Sequence, residues 1–192
     1  MSKIAIFGGS FDPVHKAHIQ ISEAVLKTFN LKKLIFVVAY TPPHKDKQYA
    51  NVKDRVEMLR LATKNLNNVE VSLYEAEKQS IVYSYQTLDH FQKMYQLDEI
   101  CMVIGSDSLA DLPTWKNIDY LASKYKFIVA RRPGICVNSD TKYLDRCIFV
   151  YKEIANISSS LVRCCLKNNK QEASKMLCAS VYNYIIENGL YK

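Results

Sequence analysis

Two histidines, His15 and His18, lie three residues apart just after a glycine-rich turn at residues 8–11 (GGSF). Glycine lacks a Cβ atom, so the backbone of such a turn can approach a ligand closely. Asp12 and Pro13 are typical of the N-cap and first position of a helix, and a helix N-terminus favours an anion such as phosphate. Histidines spaced i, i+3 share one side of a helix and can donate hydrogen bonds or protons to phosphate oxygens. A capped helix with two surface histidines would show the same pattern, so these residues alone leave both interpretations open.

Three serines at residues 158–160 precede Arg163 in a second stretch with helical character. A serine N-cap is the simplest explanation of the serines. Arg163, however, falls within the first turn and a half of that helix, where a cation is unfavourable against the helix dipole. An anion bound at this helix end would compensate for it.

Trp115 is the one tryptophan of the chain, and it lies in the segment LPTWK outside any periodic apolar stripe. It is either a loop anchor packed on the core or a platform on which a flat ring stacks. The segment itself does not decide between the two.

The elements that must position these residues are short strands separated by helices. Continuous apolar runs are typical of strands buried on both faces, and five are present: Lys3–Phe7, Leu34–Ala39, Glu99–Ile104, Lys126–Ala130 and Cys147–Tyr151. Val69–Leu73 is a weaker sixth candidate. Apolar residues at helical spacing predict helices within Val14–Thr28, Val52–Ala62, Tyr83–Tyr95 and Ala173–Ile186. This alternation predicts an α/β fold, a doubly wound, mainly parallel sheet with helices on both faces.

Polar clusters follow the carboxyl ends of five of these strands, at the edge where an open α/β sheet binds ligands. They are the glycine turn at 8–11, TPPHK at 41–45, GSDS at 105–108, RRPG at 131–134 and ISSS at 157–160. One such cluster could be ordinary turn chemistry, but five on one edge indicate a ligand site. Lys45 adds a positive charge to that edge.

The composition is that of an ordinary globular protein, with 48% hydrophobic and 23% charged residues among 192. We expect a single domain over residues 1–192 in the cytoplasm, because no apolar stretch approaches membrane-spanning length and no signal-peptide pattern opens the sequence. The six cysteines form no C-x-x-C pair and are expected to be reduced thiols. The net charge of +7 indicates an anionic partner, which is either a polyanion on the surface or phosphates in a pocket.

Two motifs of this chain resemble a known superfamily. GGSFDPVHKAH at residues 8–18 is similar to the G-x-F-x-P-x-H-x-x-H signature of nucleotidyltransferases that transfer AMP or CMP, and ISSSLVR at residues 157–163 resembles their closing I-S-S-T-x-I-R motif. Within the superfamily the likeness is greatest to the bacterial nicotinate-nucleotide adenylyltransferases. It runs essentially end to end, through TPPHK, YSYQTLD, GSDSLADLPTW, ARRPG and YIIENGLY. The resemblance implies a Rossmann-like nucleotidyltransferase fold and AMP transfer from ATP to nicotinate mononucleotide in NAD biosynthesis.

The resemblance also implies roles for individual residues on the ATP side. His15 and His18 match the signature histidines, which bind the triphosphate and the transferring phosphoryl group. Lys45 and Arg163 match cations that bind phosphate and are counted with the histidines as catalytic. The residues implied to bind ATP are Gly8, Gly9, Ser10, Phe11, Gly105, Asp107, Ile157 and Ser158.

On the acceptor side, Trp115 matches the residue that stacks on the pyridine ring, and Ser84 and Thr87 match the segment that faces the nicotinate. The full set implied to bind the mononucleotide is Lys45, Arg55, Ser84, Thr87, Trp115 and Arg132. The chain departs from the family pattern at Ala17, usually glycine, at IVYS (residues 81–84), usually P-S-Y-T, and at Ser160, usually threonine. The second change bears on whether the acceptor ring carries an acid or an amide.

The implied chemistry is direct displacement, in which the 5′-phosphate of the acceptor attacks the α-phosphorus of ATP and pyrophosphate leaves. An anionic nucleophile needs no general base, so catalysis is positioning and charge stabilisation. We expect Mg²⁺ to arrive on the nucleotide rather than in a protein metal site. Two alternatives remain: a nucleotidyltransferase with another small acceptor, nicotinamide mononucleotide or phosphopantetheine, and a module that binds RNA or another polyanion. The second predicts arginine and aromatic residues on one exposed face, whereas here the positive groups converge on one sheet edge.

Overall fold

The computed structural model describes residues 2–41, 48–131, 141–150 and 154–192. Within them lie six strands, β1 (Lys3–Gly9), β2 (Lys33–Val38), β3 (Val69–Ser72), β4 (Glu99–Gly105), β5 (Lys126–Ala130) and β6 (Cys147–Val150). The predicted strands are therefore confirmed, including the weak candidate that became β3. Gly8 and Gly9 belong to the end of β1, where they pair with Val37 and Val38 of β2.

The strands form one sheet in the order β3-β2-β1-β4-β5-β6, and all five pairings are parallel. The chain runs outward from β1 in one direction and then, from β4, in the other. Between β1 and β4 the connections leave on opposite faces, so a crevice opens at the carboxyl ends of these two strands. The predicted doubly wound α/β fold is confirmed.

The sheet is buried on both faces because its strands alternate between two cores. Ala5 and Phe7 of β1 belong to one core, while Ile4 and Ile6 of the same strand belong to the other. Both kinds of position are apolar, which explains why the sequence shows continuous rather than alternating hydrophobic runs.

Helices cover these faces. They are α1 (Lys16–Phe29), α2 (Val52–Thr63), α3 (Tyr74–Lys78), α4 (Ser84–Met94), α5 (Ser106–Asp111), α6 (Ile118–Lys124), α7 (Ser159–Asn168), α8 (Lys170–Met176) and α9 (Ala179–Glu187), with 3₁₀ turns at Leu112–Thr114 and Leu144–Arg146. Among the described residues, none of the helices has the length and apolar character needed to cross a bilayer.

The single helix predicted within Ala173–Ile186 is wrong, because the chain bends between α8 and α9. Leu177 and Cys178 at the bend have extended backbone angles. The buried residues Ala173, Leu177, Val181 and Ile185 nevertheless keep their four-residue spacing across it. The hydrophobic stripe therefore continues through the bend, and periodicity cannot reveal the break.

Candidate active site

Two adjoining cavities, each of about 370 Å³, open at the carboxyl edge of the sheet between β1 and β4. The first, which we call the histidine cavity, is lined by His15, His18, Gly105, Asp107 and residues 158–160. The second, the glutamate cavity, is lined by Glu75, Ser84, Thr87, Trp115 and Lys116. Both are lined by Gly8, Gly9, Ser10, Met102 and Trp115, so the end of β1 and the tryptophan divide one cleft into two halves.

The two histidines form a stacked pair at the start of α1. Their ring centroids are 3.7 Å apart, and the backbone N–H of His15 donates to Nδ1 of His18 over 3.2 Å. A neutral imidazole that accepts at Nδ1 carries its proton on Nε2. His18 therefore offers a hydrogen-bond donor from the opposite side of its ring, while His15, only 2% exposed, fixes its orientation.

Phe11 packs beside this pair in a strained backbone conformation. Its φ is 47°, in the left-handed region that costs a bulky residue of the order of 1–3 kcal/mol. Its ring is held by edge contacts to Phe7, Phe36 and His18, with centroids 5.6, 5.3 and 5.1 Å away. This aromatic packing retains the strained turn and places the His18 ring.

Gly9 is required at its position because Phe11 folds back over it. A Cβ atom built on Gly9 would lie 2.9 Å from Cζ of Phe11 and 3.2 Å from both Cε atoms. We expect Gly9→Ala to push this buried ring out of place, at the roughly 1–3 kcal/mol typical of overpacking, and to displace the His18 ring that packs against it. Thermal unfolding measures the first effect. Gly8→Ala is the matched control, because its nearest neighbour, Met102 Cε, would lie at 3.8 Å; an equal loss of Tm in both variants would contradict the account.

Asp12 anchors the turn that carries the histidines. Its carboxylate accepts hydrogen bonds from the backbone N–H groups of Tyr49 (2.8 Å) and Ala50 (3.1 Å) and from the hydroxyl of Tyr191 (2.7 Å). Burial and the Asp12 charge raise the pKa of Tyr191, so the phenol keeps its proton. The prediction of Asp12 as a helix N-cap is wrong, since α1 begins at Lys16 and its N-cap is His15.

Two arginines surround this anchor. Arg55 is 1% exposed, and its guanidinium donates to the carbonyls of Ser10 (2.8 Å), Ala39 (2.7 Å) and Tyr40 (3.1 Å). Burial lowers the pKa of Arg55 and the charge of Asp12 opposes that shift. Arg55 thus lies beneath the turn and supports its carbonyls, and it is not among the described residues that line the two cavities.

Arg163 reaches the same turn from α7. Its Nη1 donates to the carbonyl of Asp12 (2.7 Å) and its Nη2 to the hydroxyl of Ser160 (3.1 Å), while its guanidinium lies 4.0 Å from the centroid of the Tyr49 ring. A cation at this point is thereby held by a carbonyl, a ring face and the hydroxyl of Ser160, which lines the histidine cavity.

The N-terminus of α7 faces the histidine cavity through its serines. Ser158 is the N-cap, and its hydroxyl accepts from the N–H of Leu161 (3.1 Å). The hydroxyl of Ser159 donates to the carbonyl of Pro13 (3.0 Å), which joins α7 to the turn before α1. Two helix N-termini therefore meet here, an arrangement suited to an anion with several phosphates. Ile157 instead packs against the core.

The glutamate cavity is mainly apolar, with one buried acid. Glu75 is 9% exposed and accepts a hydrogen bond at 2.5 Å from the hydroxyl of Thr87. Burial raises the pKa of Glu75 to about 7, against the opposing effect of that hydrogen bond. Trp115 closes the cavity from the end of the 3₁₀ turn. An aromatic wall beside a buried polar group is an arrangement suited to a flat ring.

The structure brings together most of the residues singled out in the sequence: both histidines, the stretch 8–11, Gly105, Asp107 and Ser158 around one cavity, and Ser84, Thr87 and Trp115 around the other. Lys45 and Arg132 lie outside the described residues. Sequence reasoning missed Glu75 and the anchoring role of Asp12 and Tyr191. A glutamate between Tyr74 and Ala76 gives no signal of burial, and Tyr191 is separated from Asp12 by 179 positions.

The chain resembles known proteins over its whole length. A family profile described as cytidylyltransferase-like matches residues 6–165. A probable nicotinate-nucleotide adenylyltransferase of Endomicrobium trichonymphae is 62% identical over the full length of both chains, and one of Clostridium tetani is 33% identical, also over both full lengths. A solved structure of Plasmodium falciparum nicotinic acid mononucleotide adenylyltransferase, complexed with NaAD, superposes with a TM-score of 0.84 at 22% identity, covering 100% of this chain and 98% of that one.

Proposed function

Since this chain belongs to the cytidylyltransferase-like family and, within it, to the nicotinate-nucleotide adenylyltransferases, we propose that it transfers AMP from ATP to nicotinate mononucleotide in NAD biosynthesis. The products are nicotinate adenine dinucleotide and pyrophosphate. The observation that carries this function is the divided cleft, in which a cavity built for phosphates adjoins a mainly apolar one across the end of β1. Two substrates bound in these halves would meet at Gly8, Gly9 and Ser10.

The reaction is an in-line displacement at the α-phosphorus of ATP. A 5′-phosphate oxygen of the mononucleotide attacks, the bond to the bridging oxygen of the β-phosphate breaks, and that oxygen leaves with pyrophosphate. The nucleophile is already an anion at pH 7, so catalysis depends on holding the two substrates in line and on stabilising charge at the transferring group.

We assign the charge stabilisation to the two histidines and to the two helix N-termini. His18, whose Nε2 carries the donor proton, binds an oxygen of the transferring phosphoryl group, and His15 holds the neighbouring phosphate. Ser158 and the N–H groups of α7 bind the far phosphates, with Arg163 at the rim. Gly105 and Asp107 face the ribose of ATP. Lys45 remains a predicted phosphate contact, and Arg132 remains a predicted contact of the mononucleotide.

We propose that Mg²⁺ enters with ATP and is held chiefly by phosphate oxygens, where it neutralises charge on the polyphosphate. The groups that line the histidine cavity are imidazoles, serine hydroxyls and backbone N–H groups, which suit phosphate oxygens better than a hard cation. In the described part of the chain no three His, Cys, Asp or Glu side chains gather as a metal site, and Asp107 alone offers a carboxylate to this cavity.

We place the reaction in the cytoplasm, where thiols stay reduced. All five cysteines within the described residues are free. Burial raises the pKa of Cys101 and of Cys147 to about 11, so these thiols remain protonated and unreactive at neutral pH.

The test of the function is pyrophosphate release from Mg·ATP with three acceptors in parallel: nicotinate mononucleotide, nicotinamide mononucleotide and phosphopantetheine. We expect the highest kcat/KM with nicotinate mononucleotide. Higher turnover with phosphopantetheine would assign the chain to a different acceptor, and RNA binding with steep salt dependence but without turnover would favour a polyanion-binding protein.

Trp115→Ala tests which substrate occupies the glutamate cavity. Loss of an aromatic platform is worth about 1–3 kcal/mol per ring, so KM for the mononucleotide should rise roughly ten- to hundredfold, with a smaller effect on KM for ATP. Trp115→Phe keeps a flat ring and should retain much of the affinity. If Trp115 were only a loop anchor, the alanine variant would instead lower the Tm and affect both substrates equally.

A further inference from the structure

Glu75 is a carboxyl group inside the cavity assigned to the pyridine ring, and the displacement reaction makes no use of it. It comes from the short helix α3 and is 9% exposed, whereas its neighbour Glu77 on the same helix is exposed. The hydroxyl of Thr87 donates to its Oε1, so the Thr87 oxygen can present only lone pairs to a ligand. The polar floor of this cavity is thus set by whether Glu75 carries a proton.

We propose that Glu75 determines whether the acceptor's pyridine ring may carry an acid or an amide, through the presence or absence of its own proton. The inference rests on the proposed function. A protonated Glu75 donates a hydrogen bond to the carboxylate of a nicotinate ring. An ionised Glu75 repels that carboxylate and accepts from the N–H₂ group of a nicotinamide ring.

The surroundings of Glu75 allow its proton to be gained and lost near neutral pH. Burial raises its pKa to about 7. Strand β2 packs against α3, and its apolar residues Ile35 and Val37 belong to the core against which Tyr74 of α3 also packs. Tyr74, Lys78 and Lys116 are ionisable groups near this carboxyl. Burial and the Glu75 charge raise the pKa of Tyr74, Lys78 lies over the Tyr74 ring, and Lys116 lines the same cavity.

His90 is the nearby group that has to be separated experimentally. Its ring stacks on Tyr74 at 3.8 Å between centroids, and its pKa is lowered below 6.5 by burial first and then by Lys78 and Lys93. It is therefore mostly neutral above pH 6.5, and a His90→Gln variant removes its remaining titration.

The measurement is the ratio of kcat/KM for nicotinate mononucleotide to that for nicotinamide mononucleotide, from pH 6 to pH 8. The ratio cancels every group common to both reactions, including the 5′-phosphate, ATP and the histidines. A carboxyl with a pKa of about 7 passes from about nine-tenths to about one-tenth protonated over this range, so kcat/KM for nicotinate mononucleotide should fall about tenfold. Because the ionised carboxylate also accepts from the amide, kcat/KM for nicotinamide mononucleotide should rise by up to about tenfold, and the ratio should fall by about tenfold to hundredfold. In Glu75→Gln, whose amide is always a donor, it should stay flat near the low-pH value.

Two control variants isolate the effect. Glu77→Gln removes a carboxylate from the same helix, and His90→Gln removes the neighbouring imidazole; both should keep the wild-type slope. A flat wild-type ratio, or a slope that persists in Glu75→Gln, would overturn the inference while leaving AMP transfer in place. If neither nicotinate mononucleotide nor nicotinamide mononucleotide were turned over, the proposed function would be overturned, and the inference with it.

Discussion

His18→Ala is expected to reduce kcat for AMP transfer by about 10²–10³, the usual cost of losing one preorganised donor to charge that develops in the transition state. The imidazole is oriented by the His15 N–H at Nδ1 and by the edges of Phe7 and Phe11, so its Nε2 proton is in place before the substrates bind. Because the donor acts on the transferring phosphoryl group, kcat should fall more than KM for ATP rises. Steady-state kinetics with ATP varied at saturating mononucleotide measure both.

A matched variant separates this chemistry from helix capping. His18 is the third residue of α1, the position where glutamine commonly reaches back to the N-cap N–H. His18→Gln should therefore keep the start of the helix, and a Tm close to that of the wild type, while turnover stays low. Near-normal turnover in both variants would remove His18 from the mechanism.

Asp12→Ala should cause the largest loss of stability. The carboxylate accepts from two backbone N–H groups and from the Tyr191 hydroxyl, and alanine leaves these donors buried and Arg55 without its opposing charge. Removing one partner from such a buried charged network costs about 3–5 kcal/mol. For a domain of this size that corresponds to a Tm lower by roughly 6–20 °C, measured by thermal unfolding at pH 7.

The graded control is Tyr191→Phe, which removes one hydrogen bond from the same network and should cost about 1 kcal/mol. The two variants should differ in kcat as well as in Tm, because the turn that carries His15 and His18 loses all of its anchor in one and a third of it in the other. A destabilisation by Asp12→Ala no greater than that by Tyr191→Phe would show that the anchor is weaker than its hydrogen bonds indicate.

The sequence predicts those parts of the molecule that depend on local pattern. Buried parallel strands need apolar residues on both faces, so β1, β2 and β4 are visible as continuous runs, and the edge at which their carboxyl ends meet follows from topology. The stretch 8–18 and the serines at 158–160 are visible because binding phosphate requires special backbone and polar groups close together in the chain.

The parts that could not be predicted depend on contacts between distant segments. Arginine is a residue type usually exposed on a helix, and Arg55 is buried only because three backbone carbonyls accept hydrogen bonds from its guanidinium. Asp12 matches an N-cap equally well, since an acceptor suited to helix N–H groups also suits those of Tyr49 and Ala50. Glu75 is buried beside Thr87 of helix α4, whose hydroxyl donates a hydrogen bond to its carboxyl group. None of these partners is adjacent in the sequence.

The hydrogen bond between Asp12 and Tyr191 can form only near the end of synthesis of the chain. It joins positions 179 residues apart, and at about 5–20 residues per second a ribosome needs about 10–35 s to travel from one to the other. Throughout that interval Asp12, in the turn that carries the histidines, lacks the hydroxyl of Tyr191 as a hydrogen-bond partner. Helix α9, which precedes Tyr191, is also incomplete. The growing chain must therefore either hold the strained backbone conformation of Phe11 without this hydrogen bond or adopt that conformation only after Tyr191 has been added. A nucleotide that binds only when Tyr191 and Asp12 are hydrogen-bonded therefore cannot bind the nascent chain until residue 191 has emerged from the ribosome.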